Sequence, residues 1–171
     1  MEITIIKIIP TRVGKCPKLI VRDSTQKSER IEKIDLVNQG VNMFLREYLN
    51  RALEYKVVIE DDDRVAYAYL LKNDSIVGDV WLYNSIQPGD VPGWESNDEM
   101  PYLNPSIYSL FFGAPISDNE DINVKWRTDF QETMVAEIFI RNQLHAILKE
   151  GEMPGWCRLA ADDGPLAKVL K

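Results

Sequence analysis

A chain of 171 residues with 45% hydrophobic and 27% charged side chains has the length of one domain and a globular composition, which excludes a largely disordered or low-complexity protein. Twenty basic against twenty-seven acidic residues leave a net charge of −7, so phosphate backbones and anionic lipid headgroups are repelled, and neither nucleic acid nor membrane is an expected partner. No apolar run approaches the roughly 18 residues of a membrane span, no signal-peptide pattern opens the chain, and Cys16 and Cys157 lie far apart without metal-binding spacing; a single cytoplasmic domain, residues 1–171, with reduced thiols is expected.

In chain order, Glu2 to Ile9 (EITIIKII) is rich in β-branched residues and closed by Pro10, which predicts a strand, with a shorter one at Lys18 to Arg22. From about Glu29 to Leu53 the apolar positions Val37, Val41, Phe44, Leu45, Tyr48, Leu49, Ala52 and Leu53 recur at three and four, which predicts a first helix. Lys56 to Glu60, Arg64 to Leu71 and Ile76 to Tyr83 are β-propensity runs joined by short polar connections, Asp61-Asp62-Asp63 and Lys72-Asn73-Asp74-Ser75. Connections this short make antiparallel hairpins, so a three-strand meander is predicted. Arg64 to Leu71 has no polar face and belongs in its centre.

Asn84 to Pro105, with four prolines and two glycines, reads as a long ordered loop pinned by Trp94, Pro101 and Tyr102. Short strands are expected at Ile107 to Phe112 and Ile122 to Trp126. Thr128-x-x-Gln131 has the spacing of a capping box and Gly151 that of a C-terminal glycine, which predicts a second helix over residues 129–150. Leu166 to Leu170 would form a last turn. These elements predict an α+β fold, a mostly antiparallel sheet with two principal helices packed on one face.

Catalytic patterns are weak. The one histidine, His145, falls within the predicted second helix and no serine sits in a GxSxG elbow; a packed imidazole is the expectation. Cys157 beside Trp156 and Arg158 reads as a small hydrophobe in a docked tail rather than an activated thiol. Asp61 to Asp63 lacks the alternation of a calcium loop and reads first as a hairpin turn, as does Asp162-Asp163-Gly164. Paired carboxylates for glycoside hydrolysis are set in space and leave no sequence spacing. Gly14-Lys15 lacks the glycines of a phosphate loop, so no cofactor and no metal are expected.

Charge is unevenly placed. Residues 1–59 carry +4, residues 60–121 carry −11 and residues 122–171 are neutral. The acidic block also holds nine of the sixteen aromatics and five of the nine prolines. A solvated acidic face explains the charge alone; acid and aromatic together fit a protein interface in which carboxylates steer a basic partner and rings anchor it.

Val77-Gly78-Asp79-Val80-Trp81-Leu82-Tyr83-Asn84, followed by Pro92-Gly93-Trp94 and Met100-Pro101-Tyr102-Leu103-Asn104-Pro105, resembles the immunity proteins of bacterial polymorphic and contact-dependent toxin systems. The likeness covers the middle third of the chain. It implies a non-enzymatic cytoplasmic protein, monomer or homodimer, that binds and blocks one cognate toxin. The interface expected on the acidic block is Asp61, Asp62, Asp63, Asp90, Trp94, Glu95, Asp98 and Glu99. An acidic secretion chaperone acting as a homodimer and an enzyme without a recognisable motif are the alternative readings.

Overall fold

The computed structural model describes residues 44–50, 52, 54–89, 101–110, 116 and 122–171. The expected strands at Glu2 to Ile9 and Lys18 to Arg22, and residues 29–43 of the first predicted helix, lie outside these residues.

Four strands, β1 (Phe44–Leu49), β2 (Tyr55–Asp61), β3 (Val65–Lys72) and β4 (Ser75–Asn84), form an antiparallel sheet in the order β1-β2-β3-β4. The predicted meander is therefore present, and β3 lies between β2 and β4. Its turns use residues that tolerate a left-handed backbone: Asp63 at φ 66°, Asn73 at 47° and Asp74 at 63°. Asp62 tightens the first turn further, its Oδ1 accepting the Arg64 and Val65 amides at 3.0 and 2.9 Å.

A second sheet follows in the order β5-β6-β7-β8-β9: β5 (Ile122–Thr128), β6 (Met134–Ile140), β7 (Gln143–Lys149), β8 (Trp156–Cys157) and β9 (Lys168–Val169). All its pairs are antiparallel except β8 with β9.

The α+β expectation is overturned, because the only helical element among the described residues is a single 3-10 turn at Ser106–Tyr108. Residues 129–150 fold as the β6–β7 hairpin. Arg141 and Asn142, at φ 53° and 61°, form its two-residue turn, with both central residues in the left-handed region as a type I′ connection requires. The presumed capping box is the β5–β6 turn, where Asp129 Oδ1 accepts the Gln131 and Thr133 amides, each at 2.9 Å. Gly151 is left-handed at φ 82°, in a turn rather than at a helix end.

At the other predicted helix, Phe44–Leu49 pairs with β2 through six consecutive residues, so its backbone bonds run between strands. Ile107 to Phe112 is represented by the 3-10 turn and a bridge from Ser109 to Ala160, with Phe111 and Phe112 outside the described residues. Leu166 to Leu170 contributes β9 in place of a helical turn.

Register explains how the sheets meet. Opposed residues share a face, so Val57, Ile59, Ala66, Ala68, Leu70 and Val80 lie together on one side of the first sheet. They join Ala136, Ile138, Ala146 and Leu148 of the second in one continuous apolar core. Tyr55 Oη and Lys72 Nζ, on the same side, bind opposite oxygens of Glu150 at 2.8 and 3.0 Å.

The free edge of β4 is closed by the C-terminal segment, which prevents edge-to-edge association there. Gly151 and Gly155 amides donate to the Val77 and Asp79 carbonyls, and the Trp81 amide donates to Leu166 O. Gly155 is required by this approach, since a Cβ would stand 2.5 Å from Ile147 O and 3.3 Å from Asp79 O. Gly155→Ala is expected to cost about 1–3 kcal/mol by forcing β7 and β4 apart. A urea-unfolding midpoint equal to that of the parent would contradict this.

Candidate functional site

Strand alternation divides four consecutive acids between two environments. Glu60 points to the side of the first sheet away from the shared core, and Asp61 to the core side. Asp61 is 2% exposed, accepts the Tyr83 hydroxyl at Oδ2 and receives the Asp63 amide at Oδ1, 2.9 Å away. Tyr83 Oη in turn accepts the Ile116 amide at 2.7 Å, so Asp61 is a structural anchor. Burial pushes its carboxyl upward, with the Tyr83 hydrogen bond acting against that shift.

Asp62 is half-buried and ion-paired with Arg64 at 3.0 Å, while Asp63 is exposed. Of the predicted contact residues in this turn, Asp63 is the one fully open to a partner. Asp90, Trp94, Glu95, Asp98 and Glu99 lie outside the described residues.

The face bearing Glu60 also carries Val58, Tyr67, Tyr69, Asp79 and Trp81, because the register sets Val58 opposite Tyr69, Glu60 opposite Tyr67, Tyr69 opposite Asp79 and Tyr67 opposite Trp81. The Tyr67 and Tyr69 rings are nearly parallel, 12° apart in plane with centroids separated by 6.2 Å. Two carboxylates thus flank a tyrosine pair from the neighbouring strands.

Among the described residues neither carboxylate has a cation beside it. Glu60 is 8% exposed, and its carboxyl is pushed up to about 7, mainly by burial and secondarily by the negative charge of Asp62. Asp79 is half-buried, its Oδ1 is enclosed without a hydrogen-bond partner, and burial pushes its carboxyl up to about 6. The cations nearby are engaged elsewhere: Lys56 with Glu47 and Asp74, Arg64 with Asp62, and Lys72 with Glu150. Buried carboxylates ordinarily have hydrogen-bonding or charged partners, and departures from that rule concentrate at functional sites.

One end of the same face is tied to the loop that follows β4. Asn84 accepts the Trp81 indole N–H at 2.8 Å and the Asn104 amide at 2.9 Å on Oδ1, while its Nδ2 donates to Asn104 O at 2.7 Å. Tyr67 Oη donates to Tyr102 O at 2.6 Å, and an Arg64 N–H donates to Pro101 O at 3.3 Å. The expected pinning by Pro101 and Tyr102 is present; Trp94 lies outside the described residues.

The nucleophile candidates have structural surroundings. His145 lies on β7, where Nε2 donates to Leu82 O at 3.0 Å and burial lowers its pKa. Cys157 is fully buried, its Sγ donates to the same carbonyl at 3.3 Å, and burial pushes its thiol up to about 12. A thiol held protonated is a poor nucleophile. Among the described residues no group of three or more His, Cys, Asp or Glu is placed to hold a metal ion, and no helix is long and apolar enough to cross a membrane.

Comparison with known proteins finds no matching family model, no matching curated protein and no matching solved structure. The pair that the sequence reading missed is Glu60 and Asp79. Its available signal was an acid ending one β-branched run, KVVIE, and an acid inside a second, IVGDVW.

Proposed function

We propose that the chain is an immunity protein, a cytoplasmic binding protein that occludes a basic toxin domain, with the acidic segment 60–121 as the contact surface. The observation that carries this reading is the pair of buried carboxylates, Glu60 and Asp79, which have no counter-ion among the described residues and flank two tyrosines. A folded protein that keeps such groups uncompensated is suited to a partner that supplies positive charge. The −11 charge of the segment would steer that partner at long range. Asp63 contributes from the first turn; Asp62, Asp90, Trp94, Glu95, Asp98 and Glu99 complete the proposed surface.

The test is capture of basic toxin domains by the purified chain at low and high salt, with toxin activity measured in the complex. Loss of activity on binding, together with at least tenfold slower association of the Asp98→Lys, Glu99→Lys variant at low ionic strength, is expected. Capture that leaves the toxin active would contradict neutralisation. Unchanged association after charge reversal would remove Asp98 and Glu99 from the interface.

A further inference from the structure

We infer that the outer edge of β5 receives an extended segment of a partner protein, in which acidic and apolar residues alternate, as a sixth strand of the second sheet. This edge lies outside segment 60–121, so the inference goes beyond the immunity reading and does not depend on it.

The backbone defines the site. Of the two strands that end the second sheet, β9 has two residues and β5 has seven. The Asp129 amide donates to Thr133 O at 3.0 Å, and the β5–β6 ladder runs on from there without a register shift. By antiparallel alternation Arg127, Lys125 and Asn123 exchange their backbone bonds with β6, while Thr128, Trp126, Val124 and Ile122 turn theirs outward. Among the described residues these outward N–H and C=O groups have no partner. An open row of this kind is a template for an added strand.

The side chains specify what is added. Asn123, Lys125, Arg127 and Thr128 are exposed, so the strand is reachable from solvent. Lys125 and Arg127 share the face of the sheet turned away from the core. Lys125 Nζ lies 4.3 Å from the Phe139 ring centroid and has no carboxylate partner among the described residues. Arg127 binds Glu137 through Nε at 2.6 Å, which leaves its terminal N–H groups for a second carboxylate. Val124 and Trp126, on the opposite face, pack against the core and are only half-buried, so apolar side chains of an incoming strand would finish covering them. Phe130, in the turn that ends β5, is 92% exposed and offers a further apolar contact.

The charges also select against a second copy of the chain. Two β5 edges paired antiparallel would bring Lys125 and Arg127 of one against those of the other, and like charges across strands are destabilising.

The test uses the whole chain and a capped peptide of alternating valine and glutamate, of the length of β5, as probe. The comparisons are the same peptide with lysine for glutamate and the same peptide with N-methylated valines, whose backbone can no longer donate to β5. Hydrogen exchange of single amides is read by NMR. Saturable protection of the Val124 and Trp126 amides by roughly tenfold or more with the glutamate peptide, and none with either comparison, is the expected result. The double variant Lys125→Glu, Arg127→Glu should take the lysine peptide and refuse the glutamate one, a gain that requires an intact edge. Lys125→Gln, a milder change at an exposed position, should weaken the glutamate peptide without changing thermal unfolding. Absence of saturable protection, or equal protection by the lysine or N-methylated peptide, would overturn the inference and leave Lys125 and Arg127 as guards against edge pairing.

Discussion

At pH 7.5 the Glu60→Gln, Asp79→Asn double variant is expected to be more stable than the parent, by about 3 kcal/mol for each site that acts independently. At pH 4 the difference should be close to zero. The sign follows from linkage. Folded-state values near 7 for Glu60 and near 6 for Asp79 stand above the ordinary carboxylate values of 4.5 and 3.8, so the folded chain holds protons that the unfolded chain has released. The stability associated with that uptake is fully present below about pH 4 and is lost as pH rises through 6 and 7.

Other groups act in the opposite direction. Asp129, Glu150 and Glu152 are lowered chiefly by hydrogen bonds from Lys149, Tyr55 and Lys168, so their contribution is lost on acidification below the ordinary carboxylate range. His145, lowered mainly by burial, loses its contribution as pH falls below about 6.5. The difference between variant and parent cancels these shared effects. At roughly 2–4 °C per kcal/mol for a chain of this size, the gain near neutrality corresponds to a melting temperature raised by roughly 6–12 °C for one site and roughly 12–24 °C for two independent sites. Equal pH profiles for the two proteins, measured by denaturant unfolding, would show that neither carboxylate is strained in the fold.

Replacing Asn84 by Ala is expected to give the largest loss of a single polar side chain, about 3–4 kcal/mol. The amide is 1% exposed and makes three hydrogen bonds, and its removal leaves the buried Trp81 indole N–H and both backbone groups of Asn104 without partners. The consequence is local as well as global. Residues 101–104 would lose one of their ties to the sheet, leaving the Tyr67–Tyr102 and Arg64–Pro101 contacts. Hydrogen exchange at Tyr102 to Asn104 should accelerate beyond the change set by global stability. Uniform exchange changes across the molecule would contradict the role of Asn84 as a loop tether.

The meander was legible because the chemistry of its connections agreed with its strands. DDD and KNDS supply residues that accept positive φ, and the runs between them are β-branched, aromatic or small. Residues 129–150 misled because Met134, Val135, Ile138, Phe139, Ile140, Leu144, Ile147 and Leu148 cover a helical circumference and also fill two strands. Arg141-Asn142 decides between them. That pair interrupts the apolar run where a two-residue turn is needed, and Asn is among the residues most tolerant of the left-handed region.

Phe44–Leu49 shows a different limit. Its three-and-four spacing is real, but pairing with β2 depends on residues 55–61 and is invisible to a local window. The acidic site was half legible. Composition located the charge, whereas only register placed Glu60 and Asp79 around Tyr67 and Tyr69 and turned Asp61 inward to Tyr83.

The most direct test of the account is a pH titration of the Glu60 and Asp79 carboxyl carbons by 13C NMR in the protein alone. Midpoints near 7 and near 6 are the predicted result. Midpoints near the ordinary value of about 4 for both groups would mean that the two acids are well solvated or already compensated, and would contradict the site on which the proposed function rests.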